Sequence, residues 1–275
     1  MKKLLLSAFV ICLAGTSIAQ ESPLWMRHCA LSPDGTTIAF TYKGDIYTVP
    51  STGGRATQIT TNPAFDTEPV WSPDSKQIAF ASDRMGSLDV FVVSSEGGAP
   101  QRLTTHSGSE KPVAYKDNKH ILFTANIAPS AEDAGFPSGQ FQQVYEVAVT
   151  GGRPAMFSSM PMECISINKE GVMLYQDKKG YEDYWRKHQV SPIARDIWTY
   201  TPGKKPVYQK QTTFGGEDRE PVWSPDGKSF YYLSEEKGSF NIFQRTPGTT
   251  TSQQITFHTK HPVRFLSIST TGTLC

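Results

Sequence analysis

The chain has 275 residues, a formal net charge of +1 and 37% hydrophobic residues, with 22 Gly and 19 Pro. So even a balance provides no global field to attract nucleic acid or an anionic membrane, and neither is expected as a partner. The Gly and Pro content suits a turn-rich globular β protein long enough to bury a large core.

Lys2-Lys3, the apolar run Leu4 to Leu13 and the segment Ser17-Ile18-Ala19 form the three parts of a secretory signal. Residues 1–19 are read as a signal peptide cleaved after Ala19, and residues 20–275 as an exported, periplasmic folded region. The apolar run falls short of a spanning helix, so no membrane span is expected after cleavage. Ile11 is too large for the residue preceding a lipid-modified cysteine at Cys12; a retained anchor is the alternative. Cys29, Cys164 and Cys275 remain, with no Cys-x-x-Cys pair, and are read as buried free thiols.

One phrase repeats along the folded region: Leu31-Ser32-Pro33-Asp34-Gly35, Trp71-Ser72-Pro73-Asp74-Ser75 and Trp223-Ser224-Pro225-Asp226-Gly227. Aligned on the turn aspartate or its equivalent, six units fall at Asp34, Asp74, Asp117, Glu170, Asp226 and Thr271. Each holds four short β-like runs, clearest in the second unit at 68–71, 77–81, 88–93 and 101–104. Proline pre-sets φ at the second turn position and glycine accepts the positive φ that closes the hairpin, so Ser-Pro-Asp-Gly joins strand a to strand b. Gly53-Gly54, Gly97-Gly98 and Gly151-Gly152 suit the tight turn between strands c and d. Such repeats predict an all-β propeller of four-stranded antiparallel blades. Five blades and the start of a sixth are present, an incomplete ring whose last strand keeps a bare edge.

Two units are longer than the rest, and both excesses lie between strands b and c: residues 126–142 in unit three and 177–195 in unit four. In a meander these loops emerge on the same face as the d–a connections, opposite the Ser-Pro-Asp turns. That face also carries Asp66-Thr67-Glu68 and Asp218-Arg219-Glu220, each leading into a Pro-Val-Trp strand. Loops that depart from a repeat commonly mark a binding face. The candidate binding residues are therefore Asp66, Glu68, Asp218, Arg219 and Glu220, with Tyr181, Tyr184, Trp185, Arg186 and His188 from the second insertion. Bracing of strand starts is the competing reading for the acids, and a lid packed on its own propeller for the loop.

No Gly-x-Ser-x-Gly elbow, His-Glu-x-x-His helix, Walker loop or dinucleotide fingerprint appears. His258 and His261 have no carboxylate beside them, and Asp183, His188 and Ser191 share one loop without the placement a triad needs. No catalytic residue, metal or cofactor is expected.

The Pro-Val-Trp-Ser-Pro-Asp units at 69–74 and 221–226 resemble the TolB-like propeller repeat. With the loop from Gly180 to His188, Ser191, Arg195-Asp196-Ile197-Trp198 and the export signal, the chain is similar to the amino-terminal propeller of exported tricorn-type serine peptidases. That resemblance implies a non-catalytic propeller that gates or binds peptides or unfolded polypeptide for a PDZ module and a catalytic core further along the gene. The alternatives are a stand-alone TolB-like periplasmic binding or scaffold propeller, and the propeller of a prolyl-oligopeptidase-like hydrolase.

Overall fold

A computed structural model of the chain describes residues 25–127, 141–180 and 190–275. The signal segment and the heart of each insertion lie outside these residues. Twenty strands form five four-stranded antiparallel sheets, each a meander in chain order. The first sheet contains β1 (Arg27–Leu31), β2 (Thr37–Tyr42), β3 (Asp45–Pro50) and β4 (Thr57–Gln58). The second contains β5 (Asp66–Trp71), β6 (Gln77–Ser82), β7 (Asp89–Ser94) and β8 (Gln101–Arg102), within two residues of the limits the sequence suggests. The third runs through β9 (Lys111–Asp117), β10 (His120–Ala125), β11 (Gln143–Ala148) and β12 (Ala155–Ser158). The fourth has β13 (Met162–Ile167), β14 (Met173–Asp177), β15 (Ile197–Thr201) and β16 (Val207–Lys210), and the fifth β17 (Asp218–Trp223), β18 (Phe230–Ser234), β19 (Asn241–Arg245) and β20 (Ser252–Gln254). The sheets are the five blades of a β-propeller.

The repeated turn works as its residues dictate. Ser32, Ser72 and Ser224 each donate from Oγ to the aspartate two residues on, at 2.6, 2.7 and 2.6 Å. These serine bonds, with backbone N–H groups such as that of Thr36, hold the carboxyls of Asp34, Asp74 and Asp226 below their usual range. Neighbouring turns also touch: the Asp34 N–H donates to Ser75 Oγ at 3.2 Å and the Asp74 N–H to Asn118 Oδ1 at 3.1 Å.

The hydrophobic core is divided into seams between blades. One seam packs Ile46, Trp71, Ile78 and Phe91 across blades one and two; the next packs Val90, Val92, Ile121 and Phe123 across blades two and three. Trp71 is buried in its seam and donates from Nε1 to the Ala30 carbonyl at 2.9 Å; Trp223 does the same to Val172 at 3.1 Å. Both tryptophans pack blades, as their position in the repeat suggests.

After β20 the chain turns back to the centre. Residues 264–275 form a short hairpin with an Ile268–Leu274 bridge, lying between blade five and blade one. Leu266 packs with Leu233 and Ile242 on one side, and on the other the Leu31 N–H donates to Ser267 Oγ at 3.0 Å. The hairpin thus links blade five to blade one. All three cysteines are free, but the expectation that they are buried is wrong: Cys29 and Cys275 are half-buried and Cys164 is exposed. Cys164 stands on an axial strand with open space in front of it, rather than packing as the small hydrophobe a cysteine readily is.

The seams also bury acids. Asp89 and Glu110 are both fully buried between blades two and three; Arg102 Nη2 lies 2.9 Å from Asp89, and no well-oriented hydrogen bond reaches the Glu110 oxygens. Desolvation, then the Asp89 charge, push Glu110 up to about 7, against the Thr104 hydroxyl and the His106 N–H. Asp218, buried at the start of β17, is likewise pushed up to about 7, chiefly by desolvation, against the Ser234 and Thr212 hydroxyls. A carboxyl whose folded pKa is raised holds its proton when the unfolded chain has lost it. Its stabilising share is therefore full below the unfolded pKa and is lost as pH rises to about 7 and beyond. Glu110→Gln is accordingly predicted to match the parent near pH 4.5 and to exceed it at pH 8 by on the order of 2 kcal/mol. Denaturant melts of both proteins at the two pH values check this, and a difference that does not change with pH contradicts it.

Candidate functional site

The innermost strands of the six units surround a central channel of about 1460 Å³. Its lining follows from one irregularity shared by the blades. In the first blade β1 and β2 pair at Arg27–Thr41 and again at Ala30–Ala39, so His28 and Cys29 together face the single residue Phe40. The same bulge sets Glu68 and Pro69 against Phe80, Cys164 and Ile165 against Tyr175, and Glu220 and Pro221 against Tyr232. The residue opposite is a buried aromatic each time. A bulge of this kind bends the strand and re-aims a side chain.

The first residue of each bulge carries positive φ: 52° at His28, 56° at Glu68, 52° at Cys164 and 51° at Glu220, with 61° at Phe265 in the sixth unit. Five of the eight non-glycine residues with positive φ among the described residues therefore occupy one repeat position. In blade three the slip comes one residue later, with Phe123 opposite Pro112 and Leu122 opposite Ala114, and Lys111 keeps ordinary strand geometry. His28, Glu68, Lys111, Cys164, Glu220 and Phe265 form a ring, all lining the channel. Two residues further along each strand, Ala30, Val70, Val113, Ser166, Val222 and Ser267 form a second, smaller-residue ring towards the turn face.

The candidate residues divide between wall and brace. Glu68 is in the first ring and ion-paired with Lys111 across the seam, Oε1 to Nζ 2.6 Å. Glu220 is there too: its Oε2 accepts the Leu266 N–H at 2.8 Å, and its own N–H donates to Gln176 Oε1 at 2.9 Å. Asp66 is 0% exposed, with both oxygens bonded by Arg84 Nη2 at 2.9 and 2.8 Å. Asp218 is 1% exposed, and Arg219, at 3%, donates from Nε to Glu217 at 2.8 Å with its guanidinium 5.2 Å from the Phe240 ring centre. These three brace strand starts. Tyr181, Tyr184, Trp185, Arg186 and His188 lie outside the described residues.

Four ring members, His28, Lys111, Cys164 and Phe265, are missing from the candidate set drawn from the sequence. The signal was present: each ring residue stands six positions before the turn residue of its unit. Only Glu68 and Glu220 drew attention there, because they sit in charged clusters.

The foot of the second insertion joins the wall near Cys164. Glu163 receives Arg195 Nε at 3.1 Å, Gln176 Nε2 at 3.0 Å and Lys178 Nζ at 3.1 Å, while Arg195 reaches Glu217 at 3.5 Å. Burial alone would raise the Glu163 carboxyl, but Arg195 and Lys178 outweigh it and hold it below its usual range. The Cys164 thiol, open to the channel yet walled by protein, is pushed well up by desolvation and by Glu220 and Glu163, so it is a thiol at neutral pH. Among the described residues no group of three or more His, Cys, Asp or Glu side chains could hold a metal.

Exposed apolar side chains gather on the insertion face, and two of them, Trp25 and Met26, belong to the channel lining. Trp25 and Met26 lead into β1, Phe65, Met160 and Phe257 sit in d–a connections, and Met85 and Val190 in b–c loops; all are exposed. Seven of the ten large exposed apolar side chains among the described residues thus share this face.

A non-glycine residue in left-handed conformation costs about 1 kcal/mol or more, and glycine adopts it freely. Cys164 has open space for its side chain, so Cys164→Gly loses little packing. It is predicted to raise Tm by about 2–4 °C; a lower Tm in a thermal melt contradicts the strain.

A family model described as the tricorn protease N-terminal β-propeller domain matches residues 23–273. Tricorn protease homolog 1 of Streptomyces coelicolor is 39% identical over 213 residues, 77% of this chain and 19% of that protein. The chain therefore spans about a fifth of that relative's length. The uncharacterized protein Atu1656 of Agrobacterium fabrum is 34% identical over 218 residues, 74% of this chain and 68% of that one. Among solved structures, the tricorn protease superposes with a TM-score of 0.73 at 17% identity, over 90% of this chain and 24% of that one. A putative TolB from Agrobacterium tumefaciens gives 0.66 at 14% identity, over 85% and 81%. Both structures share the fold. With the family model covering nearly all of the described residues, the chain belongs to the tricorn protease N-terminal β-propeller family.

Proposed function

We propose that this propeller is the non-catalytic, peptide-binding or peptide-gating region of an exported tricorn-like serine peptidase. The observation that carries the reading is the axial channel, lined by the bulge side chains and opening on the face where the exposed apolar groups gather. Exposed apolar side chains on the face where the channel opens suit an unfolded polypeptide, which presents the side chains a folded protein hides. The charge-balanced chain gives no reason for nucleic acid to enter. Proteolysis itself would belong to a core downstream, and export to the Lys2–Ala19 signal, with Gln20 as the expected new amino terminus.

A second reading is a stand-alone TolB-like propeller that docks a folded envelope protein. The Atu1656 match favours it, because the match takes in 68% of that relative, against 19% of the Streptomyces coelicolor protein. Sequencing the gene past codon 275 separates the two: PDZ and serine-peptidase segments support the first, and a stop after one completed propeller supports the second.

The purified 20–275 segment is predicted to bind a labelled, reduced and carboxymethylated polypeptide saturably, and to cleave no fluorogenic peptide. Val113→Trp sets an indole into the second, smaller-residue ring and is predicted to weaken binding about tenfold, roughly 1.4 kcal/mol. Val207→Trp, on the outer strand β16, leaves binding unchanged. Fluorescence anisotropy measures both. Equal binding by the two variants contradicts a channel site, and turnover that survives repurification contradicts the non-catalytic assignment.

A further inference from the structure

The bulge ring contains an unexplained expense. Left-handed backbone is open to glycine at no steric cost, and strain of this kind at non-glycine residues gathers where a side chain has work to do. The chain has 22 glycines and uses them at the hairpin turns, yet none stands at the ring position of any unit. At Ser75 the strain is of a different sort: that turn position holds glycine in the equivalent Gly35 and Gly227, and its side chain lies on the turn face. In the ring the strained residues instead project side chains into the channel.

The chemistry around the ring is uneven. Glu68 and Lys111 are closed on each other at 2.6 Å, and Glu220 is tied to the Leu266 N–H. Where the sixth unit meets the first, the wall is aromatic: the His28 and Phe265 rings lie 4.9 Å apart at 45°. Burial lowers the His28 pKa, the Glu68 charge recovering only part of the shift, so the imidazole is neutral at physiological pH. Trp25 and Met26, both exposed, continue this apolar strip to the mouth. Offset or tilted aromatic pairs accept a further ring or a branched aliphatic group at favourable geometry.

We propose that the six ring positions are the contact ring for polypeptide in the channel, and that the His28–Phe265 wall takes a large apolar side chain of an extended segment. The assignment rests on the peptide-binding reading above and names its subsite and the side-chain class it selects. The ion-paired sector, Glu68 with Lys111, shapes the opposite wall without offering an open charge.

The test uses a labelled, unstructured twenty-residue peptide with Phe at every fourth position, and a counterpart with Ser at those sites. Phe265→Gly and His28→Gly keep the left-handed backbone unstrained while removing the wall; Ser75→Gly relieves the same kind of strain on the turn face. The Phe peptide is expected to bind the parent at least tenfold more tightly than the Ser peptide. Phe265→Gly and His28→Gly should each reduce Phe-peptide affinity tenfold or more, and Ser75→Gly should leave it within twofold. Thermal melts confirm that the variants fold, and Phe265→Asn, which tolerates positive φ, stands in should the glycine variant not fold. Wall variants that fold and bind like the parent, or equal binding of the two peptides, overturn the subsite and leave channel binding standing. A parent that binds neither peptide overturns the channel reading with it.

Discussion

The extra residue in the inner strands of blades one, two, four and five is the constraint on which the rest of the structure depends. At the bulge two residues oppose one, and that one is Phe40, Phe80, Tyr175 or Tyr232, fully or nearly fully buried. The aromatic fills the blade where the inner strand bends away from it, and the bend turns the next side chain towards the axis. Without the slip, strand alternation would carry the same side chain back into a seam. The channel wall is therefore written by the blade core, and the left-handed residues are held in place by packing on the far side of the strand.

The seams complete the arrangement. The inner strands β5, β9 and β17 are braced at their insertion-face ends by polar groups as well as by apolar packing: Arg84 on Asp66, Arg219 on Glu217, and the buried carboxyls of Glu110, beside Asp89, and Asp218. Burying such groups is favourable only when they are paired or neutralised. A guanidinium does this for Asp66, and retention of a proton does it for Glu110 and Asp218, whose carboxyls are raised to about 7. The face that gathers exposed apolar groups is thus the one whose foundations respond to pH, whereas the turn face is built from short serine–aspartate bonds at exposed sites.

Much of the fold was legible because Ser-Pro-Asp-Gly has one local solution, and its spacing counts the units. The face on which the exposed apolar groups gather is also the one that the two long b–c loops single out in the sequence. Which acids line the channel was not legible. Asp66 and Glu68 stand two apart on one strand, and alternation alone would place them on the same side. The bulge after Thr67 breaks that parity, and Arg84, from the following b–c loop, captures Asp66 from eighteen residues away. Neither the slip nor the distant partner leaves a mark in the local sequence. Cys164 and Phe265 were overlooked for a related reason: a thiol and a phenyl group in a β run look like core until the backbone turns them outward.

The central claim is that polypeptide meets this propeller inside the channel, at the ring six positions before each turn. Photo-cross-linking a peptide that carries a diazirine-bearing Leu analogue, followed by mass spectrometric mapping, tests it most directly. The account predicts adducts on the channel strands, foremost at His28, Phe265 and their neighbours Trp25 and Met26. Adducts confined to the Ser-Pro-Asp turns or to the outer strands would contradict it.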